Sequence, residues 1–541
     1  MKKEFKVGML VESNTEYFAT EQEYHIYASD TVVLFDGRYK VLRAHDTDNF
    51  NAFMLIKDKK NVVLDFCGAT LVMHGKIQPF LIDSSENITI KNCKVTYDRP
   101  PYTEAYILEA THEFVRLRLN ENCPCRIEDG RLIPYSDTWE NTKLNEGGRF
   151  YQVFDGNTRK GCGLGLGVMG NSVEFNPNSP FVPVQYIAEA DGEDVLLRGK
   201  IPDFYKPGRM LCIAHETRSL SSVFMIDSHN IKLENYRILL GWGMGCFAFR
   251  TDNIILDGFC LTYDEASPGI VANAADAVHT FGTSGRFEIR NSTFEGMIDD
   301  AINIHSNFRT VESVNENEIY THVASCESEA NNLYRIGDEI AIYRGKTMEE
   351  VARYMIMNIE TVNETVKKFT VDRTVMDHQS GDLIENITAN CDVFIENCVF
   401  GKANSHMRFQ SRGKFIMRNC ESELPILLSG DASYWFESSP ITDLTIENCK
   451  FVGWRAKIFI KSEVYPTNTA PYYHRNLKII NNEFETDIPV DGGYADAIVF
   501  KGNINSAGVP MALLLTNCGS VDADNCIVKR MVETKRELNV N

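Results

Sequence analysis

Apolar and polar residues alternate with period two in short runs along the chain, and one run keeps returning. It reads "NITIKNCKV" at 87, "NIKLENYRI" at 230, "NIILDGFCL" at 253, "RFEIRNSTF" at 286, "DVFIENCVF" at 392, "KFIMRNCES" at 414, "DLTIENCKF" at 443, "NLKIINNEF" at 476 and "SVDADNCIV" at 520. Each copy is a short strand, a polar corner and a second short strand. The closest copies start 22 and 23 residues apart and others about 30 or more, as in a solenoid whose insertions leave from its corners. The pattern predicts an all-β chain, a right-handed parallel β-helix.

Two stretches lack the phrase yet keep strand-like runs, such as "FVRLRLN", "DVLLRGK", "DEIAIYR" and "KKFTVDR", between Gly, Pro and Asn turns. They predict two inserted β-barrel-like domains. The expected order is an amino-terminal cap and first coils over 1–104, an insert over 105–220, coils over 221–306, a second insert over 307–388 and carboxy-terminal coils over 389–541. Asn92, Asn235, Asn291, Asn397, Asn419, Asn448, Asn481 and Asn525 fall at the corners. Asparagine tolerates the left-handed backbone of a sharp corner, and its amides can bond up the stack. Cys93, Cys398, Cys420, Cys449 and Cys526 follow corner asparagines and read as an inward file of small apolar side chains, since zinc spacings are absent. "GLGVMG" at 165–170 fits a dinucleotide pattern, but the Pro- and Asn-rich stretch after it is not helical, so a glycine-rich turn near a cleft is expected.

The chemistry concentrates in "DAVHTFGTSGRFEIRNSTFEGMIDDAINIHS", which begins at Asp276. D-A-V-H at 276 and D-A-I-N at 300 are 24 residues apart, one coil, with a further aspartate at 299. The repeat predicts Val278 over Ile302, His279 over Asn303 and Asp276 beside Asp300, one strand spacing of ~4.8 Å away. Alternation turns His279, Asn303 and His305 outward, toward a groove. A bend invited by Gly296 would bring Asp299 to the same groove. With no basic residue in either phrase, the crowded carboxylates should hold at least one proton near neutral pH. Acid and base catalysis, a divalent cation and a purely structural corner all fit such a cluster. Calcium prefers six to eight oxygens, and two histidines are poor company for it.

Composition narrows the partners. The 541 residues carry 75 acidic and 55 basic side chains, a formal charge of −20, which disfavours nucleic acid and anionic membranes. No apolar run reaches membrane-spanning length, and Glu4 interrupts the start "MKKEFKVGMLVES" before any signal-like core. Together with an odd 15 cysteines, this leads to the expectation of a cytoplasmic protein. β-Helices associate along their sides, so a homodimer is compatible with the pattern.

The chain resembles glycoside hydrolase family 110 from "VVLDFCGATLVMHG" and "KVTYDRPPYTEA", through "GMGCFAF" and the aspartate motif, to "ILLSGDASYWFESSPITDLTIENCKF". The resemblance implies a β-helix with two inserted barrels and an inverting exo-acting α-1,3-galactosidase. No cofactor or metal is expected. It implies a substrate of oligosaccharides or glycoconjugates ending in α-galactose, and Asp276, Asp299 and Asp300 as the catalytic carboxylates. The segment "KANSHMRFQSRG" at 402–413 departs from the family's pattern, so the resemblance does not fix the sugar contacts of that coil. Inverting enzymes separate their two carboxyls by ~6.5 to 9.5 Å. Asp276 and Asp300 are too close for that, so both fall to the water and Asp299 becomes the acid. In "GDASYWFESS", Asp431 and Glu437 suit hydroxyl binding and Trp435 suits stacking on a galactose ring. A pectinase-like enzyme would need basic groups for uronates, and a non-catalytic sugar-binding β-helix would not need crowded carboxylates.

Overall fold

The computed structural model describes residues 1–34, 50–141, 149–169, 184–215, 218–263, 269–323, 332–345, 347–363, 365–430, 435–460 and 472–531. Short strands stack in parallel register on three faces, forming a parallel β-helix. The first face runs through His229–Ile238, Asp252–Asp257, Ser284–Arg290, Cys391–Glu396 and Lys414–Arg418 to Ala497–Lys501. The second holds the short strands just past the corners, among them Cys260–Leu261, Thr293–Glu295, Val399–Gly401 and Lys450–Phe451. The third runs from Phe50–Lys57 through Met244–Phe249, Val278–Phe281, Ile302–Asn315 and Met407–Phe409 to Cys526–Met531.

Alternation drives this architecture, because each strand offers every second side chain to a core that no single coil can enclose. Ile254, Phe287, Val393, Phe415 and Leu444 are buried in one such file. On the second face Phe294 and Phe400 stack with ring centroids 5.2 Å apart, and Phe451 and Phe484 at 4.7 Å. Cys93, Cys398, Cys420 and Cys449 are buried, and the Cys398 N–H points at Cys420 Sγ 3.4 Å away. All cysteines among the described residues are free thiols.

The eight corner asparagines have φ between 48° and 56°. Their amides also link coils, as where Asn235 Nδ2 donates to Asn92 Oδ1 at 3.1 Å. A second ladder runs along the other edge of the first face, where Asn230 donates to Asn87 and Asn87 to Asn61, each at 2.9 Å.

Two barrels leave the helix. In one, Tyr102–Ala110, Phe114–Leu119, Asp194–Arg198, Val184–Asp191, Gly161–Met169, Arg149–Asp155 and Arg209–Ala214 close on themselves. Residues 165–169, expected as a turn, are instead part of the strand Gly161–Met169. Gly163, Gly165 and Gly167 pair with Arg149–Asp155, and Gly167 also with Val184–Asp191, so the extended backbone is fixed by the barrel's ladder. In the other, Ile302–Asn315 runs straight out of the helix and closes a ring with Glu318–Val323, Val366–Val371, Glu350–Thr361, Glu339–Tyr343 and Leu383–Asn386. Among the described residues no helix is long and apolar enough to cross a membrane.

The corners give a direct test. Asn235→Val forces a β-branched residue into the left-handed region and is expected to cost about 1–3 kcal/mol. Asn235→Gly keeps the backbone at ease and loses only the amide bond. Denaturant midpoints of the two variants measure the difference, and equal losses would show that the amide ladder rather than the backbone sets the corner.

Candidate active site

The turns between the second and third faces carry the candidate chemistry. Asp276 ends the turn before Val278–Phe281, Asp299 and Asp300 the turn before Ile302–Asn315, and His406 the turn before Met407–Phe409. The strands that follow are in register, Val278 beside Ile302 and His279 beside Asn303, then Ile302 beside Met407 and Asn303 beside Arg408. Backbone bonds tie the turns together. The Ala277 N–H donates to Asp300 O and the Ala301 N–H to His406 O, each at 2.9 Å. The Asp300 N–H also donates to Asp276 Oδ1 at 3.2 Å, so these two aspartates are neighbours on adjacent coils.

Gly296 shapes the second turn. Its φ is 74°, and a Cβ there would lie 2.8 Å from Ile270 O, so both backbone and space require glycine. The chain bends at Ile298 and Asp299, and Asp299 turns to Arg218, whose Nη2 donates to its Oδ2 at 2.5 Å. The Asp299 side chain remains 21% exposed while that of Asp276 is fully buried.

His279, Asn303 and His305 point away from the apolar core, yet they do not line an open groove. The side chains of His279 and His305 are 2% and 0% exposed. The reason is local: strand Glu437–Ser438 lies antiparallel on Ser306 and Asn307 and covers them. Glu437 is thereby buried among polar groups, accepting from Asn303 Nδ2 at 3.3 Å, Gln410 Nε2 at 2.9 Å and Arg408 Nη1 at 3.2 Å. Trp435 is partly exposed with the Arg218 guanidinium 5.4 Å from its ring centre, so it belongs to the site rather than the core. Asp431 lies outside the described residues.

Four groups here have no counterpart in the sequence reading: Arg218, His406, Arg408 and Gln410. Three come from the segment 402–413 that was set aside. A signal was present, because "HMRFQS" repeats the alternation of "AINIHS", but the second barrel separates the copies and hides the coil spacing. The reasoning from absent basic groups is also corrected, since Arg218 and Arg408 both reach the carboxylates. Each is matched to carboxylates already there, Arg408 lying 3.5 Å from Asp300 Oδ2 and 3.2 Å from Glu437 Oε2.

The three aspartates differ electrostatically. Burial alone would raise the Asp276 carboxyl, but the hydrogen bond and charge of His279 and the charge of Arg218 outweigh it and hold the group below its ordinary range. Burial raises Asp299, helped by Asp276 and opposed by Arg218. Burial also pushes Asp300 well up, against Arg408 and with the repulsion of Asp299 and Asp276. Thus one carboxyl is shifted down and two are shifted up, Asp300 the more strongly.

The histidines follow suit. Burial lowers His305 to about 4 and His406 to about 3. His305 Nδ1 donates to Ser306 O at 2.7 Å, which leaves Nε2 to accept from His279 Nε2 at 2.8 Å. His279 Nδ1 then shares a proton with Asp276 Oδ2 over 2.5 Å. His406 Nε2 accepts from Arg408 Nη2 at 3.2 Å and lies 3.1 Å from Asp300 Oδ1.

The first barrel grips the turns from outside. Tyr102 Oη donates to Val271 O at 2.6 Å, and the N–H groups of Ile270 and Val271 both donate to Glu104 Oε1 at 2.8 Å. Gln152 Nε2 donates to Ile298 O, and Asn404 Nδ2 donates to Val153 O and Gly163 O at 3.2 Å. Among the described residues no group of three or more His, Cys, Asp or Glu is arranged to hold a metal ion.

Comparison with known proteins gives a consistent result. No family model matches the chain. Alpha-1,3-galactosidase B of Bacteroides thetaiotaomicron is 27% identical over 506 residues, covering 86% of this chain and 78% of the relative. Alpha-1,3-galactosidase B of Parabacteroides distasonis is 26% identical over 82% of this chain and 75% of its own. Alpha-1,3-galactosidase A of Bacteroides fragilis is 22% identical over 83% and 74%. Among solved structures, the family 28 exopolygalacturonase of Yersinia enterocolitica aligns over 96% of this chain and 74% of its own, at 11% identity and a TM-score of 0.34. The β-helix, its carboxylate turns and these relatives define a glycoside hydrolase. Within that class, relatives 22–27% identical over most of the chain support a likeness to glycoside hydrolase family 110.

Glu104 supplies a pH test of the barrel's grip. Burial raises it to about 7 against the N–H groups of Ile270 and Val271, above the ordinary glutamate value. Its contribution to stability is therefore full at acidic pH and is lost as pH rises from the ordinary carboxylate range to about 7. Glu104→Gln, which keeps an oxygen for both N–H groups, is expected to flatten that limb of the denaturation midpoint against pH. An unchanged slope would contradict it. Glu104→Ala orphans the donors and is expected to cost about 1–3 kcal/mol per group.

Proposed function

We propose that this chain removes terminal α-1,3-linked galactose from oligosaccharides or glycoconjugates by single displacement with inversion. The observation that carries the reading is the carboxylate corner itself, three aspartates on adjoining turns, with the Asp300 N–H on Asp276 and Asp299 turned to Arg218. The names of the relatives supply the sugar and the linkage.

In this mechanism Asp299 donates its proton to the glycosidic oxygen as the bond to the anomeric carbon breaks. Its raised carboxyl and partial exposure suit an acid, and Arg218 on one oxygen leaves the other for the proton. Water attacks the opposite face of the ring and yields its proton to the Asp276 and Asp300 pair. Asp276 is the ionised member, and Asp300 donates a hydrogen bond that orients the water. His279, bonded through Nδ1 to Asp276 Oδ2, holds the base in place. Trp435 supplies an apolar ring face beside Arg218 for the galactose. A second assignment, with Asp300 as acid, is favoured by one observation: its carboxyl is the one pushed well up.

Proton NMR of the reaction with galactose-α-1,3-galactose is expected to show β-galactose first, and initial α-galactose would rule out inversion. Asp299→Asn is expected to lower kcat/KM on that disaccharide by about 10²–10⁴ and much less on a galactoside with an activated leaving group, which needs no proton. Asp276→Asn and Asp300→Asn should be poorly rescued by the same leaving group. Preferential rescue of Asp300→Asn would transfer the acid role to Asp300.

A further inference from the structure

Trp454 is 77% exposed, the most exposed aromatic among the described residues. Its turn, 452–457, joins Lys450–Phe451 on the second face to Ile458–Ile460 on the third. The turn therefore stands in the same column as those that carry Asp276, Asp299 and His406. It matches in length the turn 296–301 between Thr293–Glu295 and Ile302–Asn315. Ile302, Met407, Ile426 and Ile458 follow one another in register, which puts Trp454 three coils past the carboxylates, roughly 14 Å along the axis. Only the short turn 423–425 intervenes on the coil before it.

The indole is presented on a fixed support. Gly453 has φ 86°, its N–H donates to Glu485 Oε2 at 2.7 Å, and the Ala456 N–H closes the turn on Gly453 O at 3.2 Å. Arg455 reaches back across the intervening turn, and its Nη2 donates to Asn404 O at 3.3 Å, two residues before His406. Packing does not account for an indole held out to water on a braced turn. It is what stacking on the apolar face of a pyranose requires.

We propose that Trp454 forms a distal aglycone subsite, in which sugars on the reducing side of the cleaved bond run along the turn column and one stacks on the indole. The inference rests on the glycosidase reading and extends it to the length of the substrate. The test compares the intact protein with Trp454→Ala and Trp454→Phe on three probes: an aryl α-galactoside, galactose-α-1,3-galactose, and a linear pentasaccharide capped by α-1,3-galactose. Trp454→Ala should leave kcat/KM on the two short probes unchanged and lower it about three- to tenfold on the pentasaccharide, through KM, with Trp454→Phe retaining most of the activity. Equal loss on all three probes, or none on the pentasaccharide, overturns the subsite while the glycosidase reading stands. Failure of the intact protein to release galactose from any probe would remove that reading and the subsite with it.

Discussion

The parallel register of three coils is the constraint on which the site depends. Val278, Ile302 and Met407 are successive rungs of one ladder, and the turns just before them carry the aspartates and His406. Because the rungs are backbone hydrogen bonds, no one carboxylate moves without disturbing the others. The side chains are thus spaced by a property of peptide geometry, about one strand separation per coil, rather than by packing among themselves. The same ladder keeps Asp276 and Asp300 neighbours, with the Asp300 N–H donating to Asp276 Oδ1 at 3.2 Å.

Register places the aspartates without distinguishing them; partners do that. Asp276 meets His279, Asp299 meets Arg218, and Asp300 meets His406 and Arg408. In a chain with a formal charge of −20, burying three carboxylates and Glu437 together would be prohibitive without compensation. Arg408 sits between Asp300 and Glu437 and serves both. Glu437 is held down to about 2, despite burial, by Arg408, His305 and His279, so it is a fixed negative charge that steadies the arginine. The carboxyls of identical side chains on neighbouring coils are consequently shifted in opposite directions.

The fold was legible because its signals are local. A corner asparagine and the alternation around it determine a coil within ten residues, and the asparagines named from sequence all adopt the left-handed backbone. Asp276 and Asp300 were legible as neighbours for the same reason, their coil being uninterrupted. The rest of the site was hidden by the inserts. Arg218 follows the first barrel, and Arg408 and Gln410 follow the second, so their partners are distant in sequence though one rung away in space. Burial of His279 and His305 was equally illegible, because alternation tells which way a side chain points and nothing of what strand Glu437–Ser438 later lays over it. Glycines at 165 and 167 misled for a related reason, since a barrel ladder can hold extended a stretch whose composition favours a turn.

The position of the barrels follows from what a bare β-helix lacks. Long turns carry N–H and C=O groups that the ladders do not pair, and such groups are costly once buried. The turns bearing the aspartates are of this kind, and the first barrel supplies the missing partners through Tyr102, Glu104 and Gln152, while Asn404 binds back to it. The second barrel acts on the far side, where Arg412, two residues past Gln410, is held to the buried Glu385 by contacts of 2.9 to 3.1 Å. Each insert therefore braces coils near the site, the first at Ile270, Val271 and Ile298 and the second at Arg412. The site lies where the repeat is most interrupted, and the interruptions supply groups that hold its turns in place.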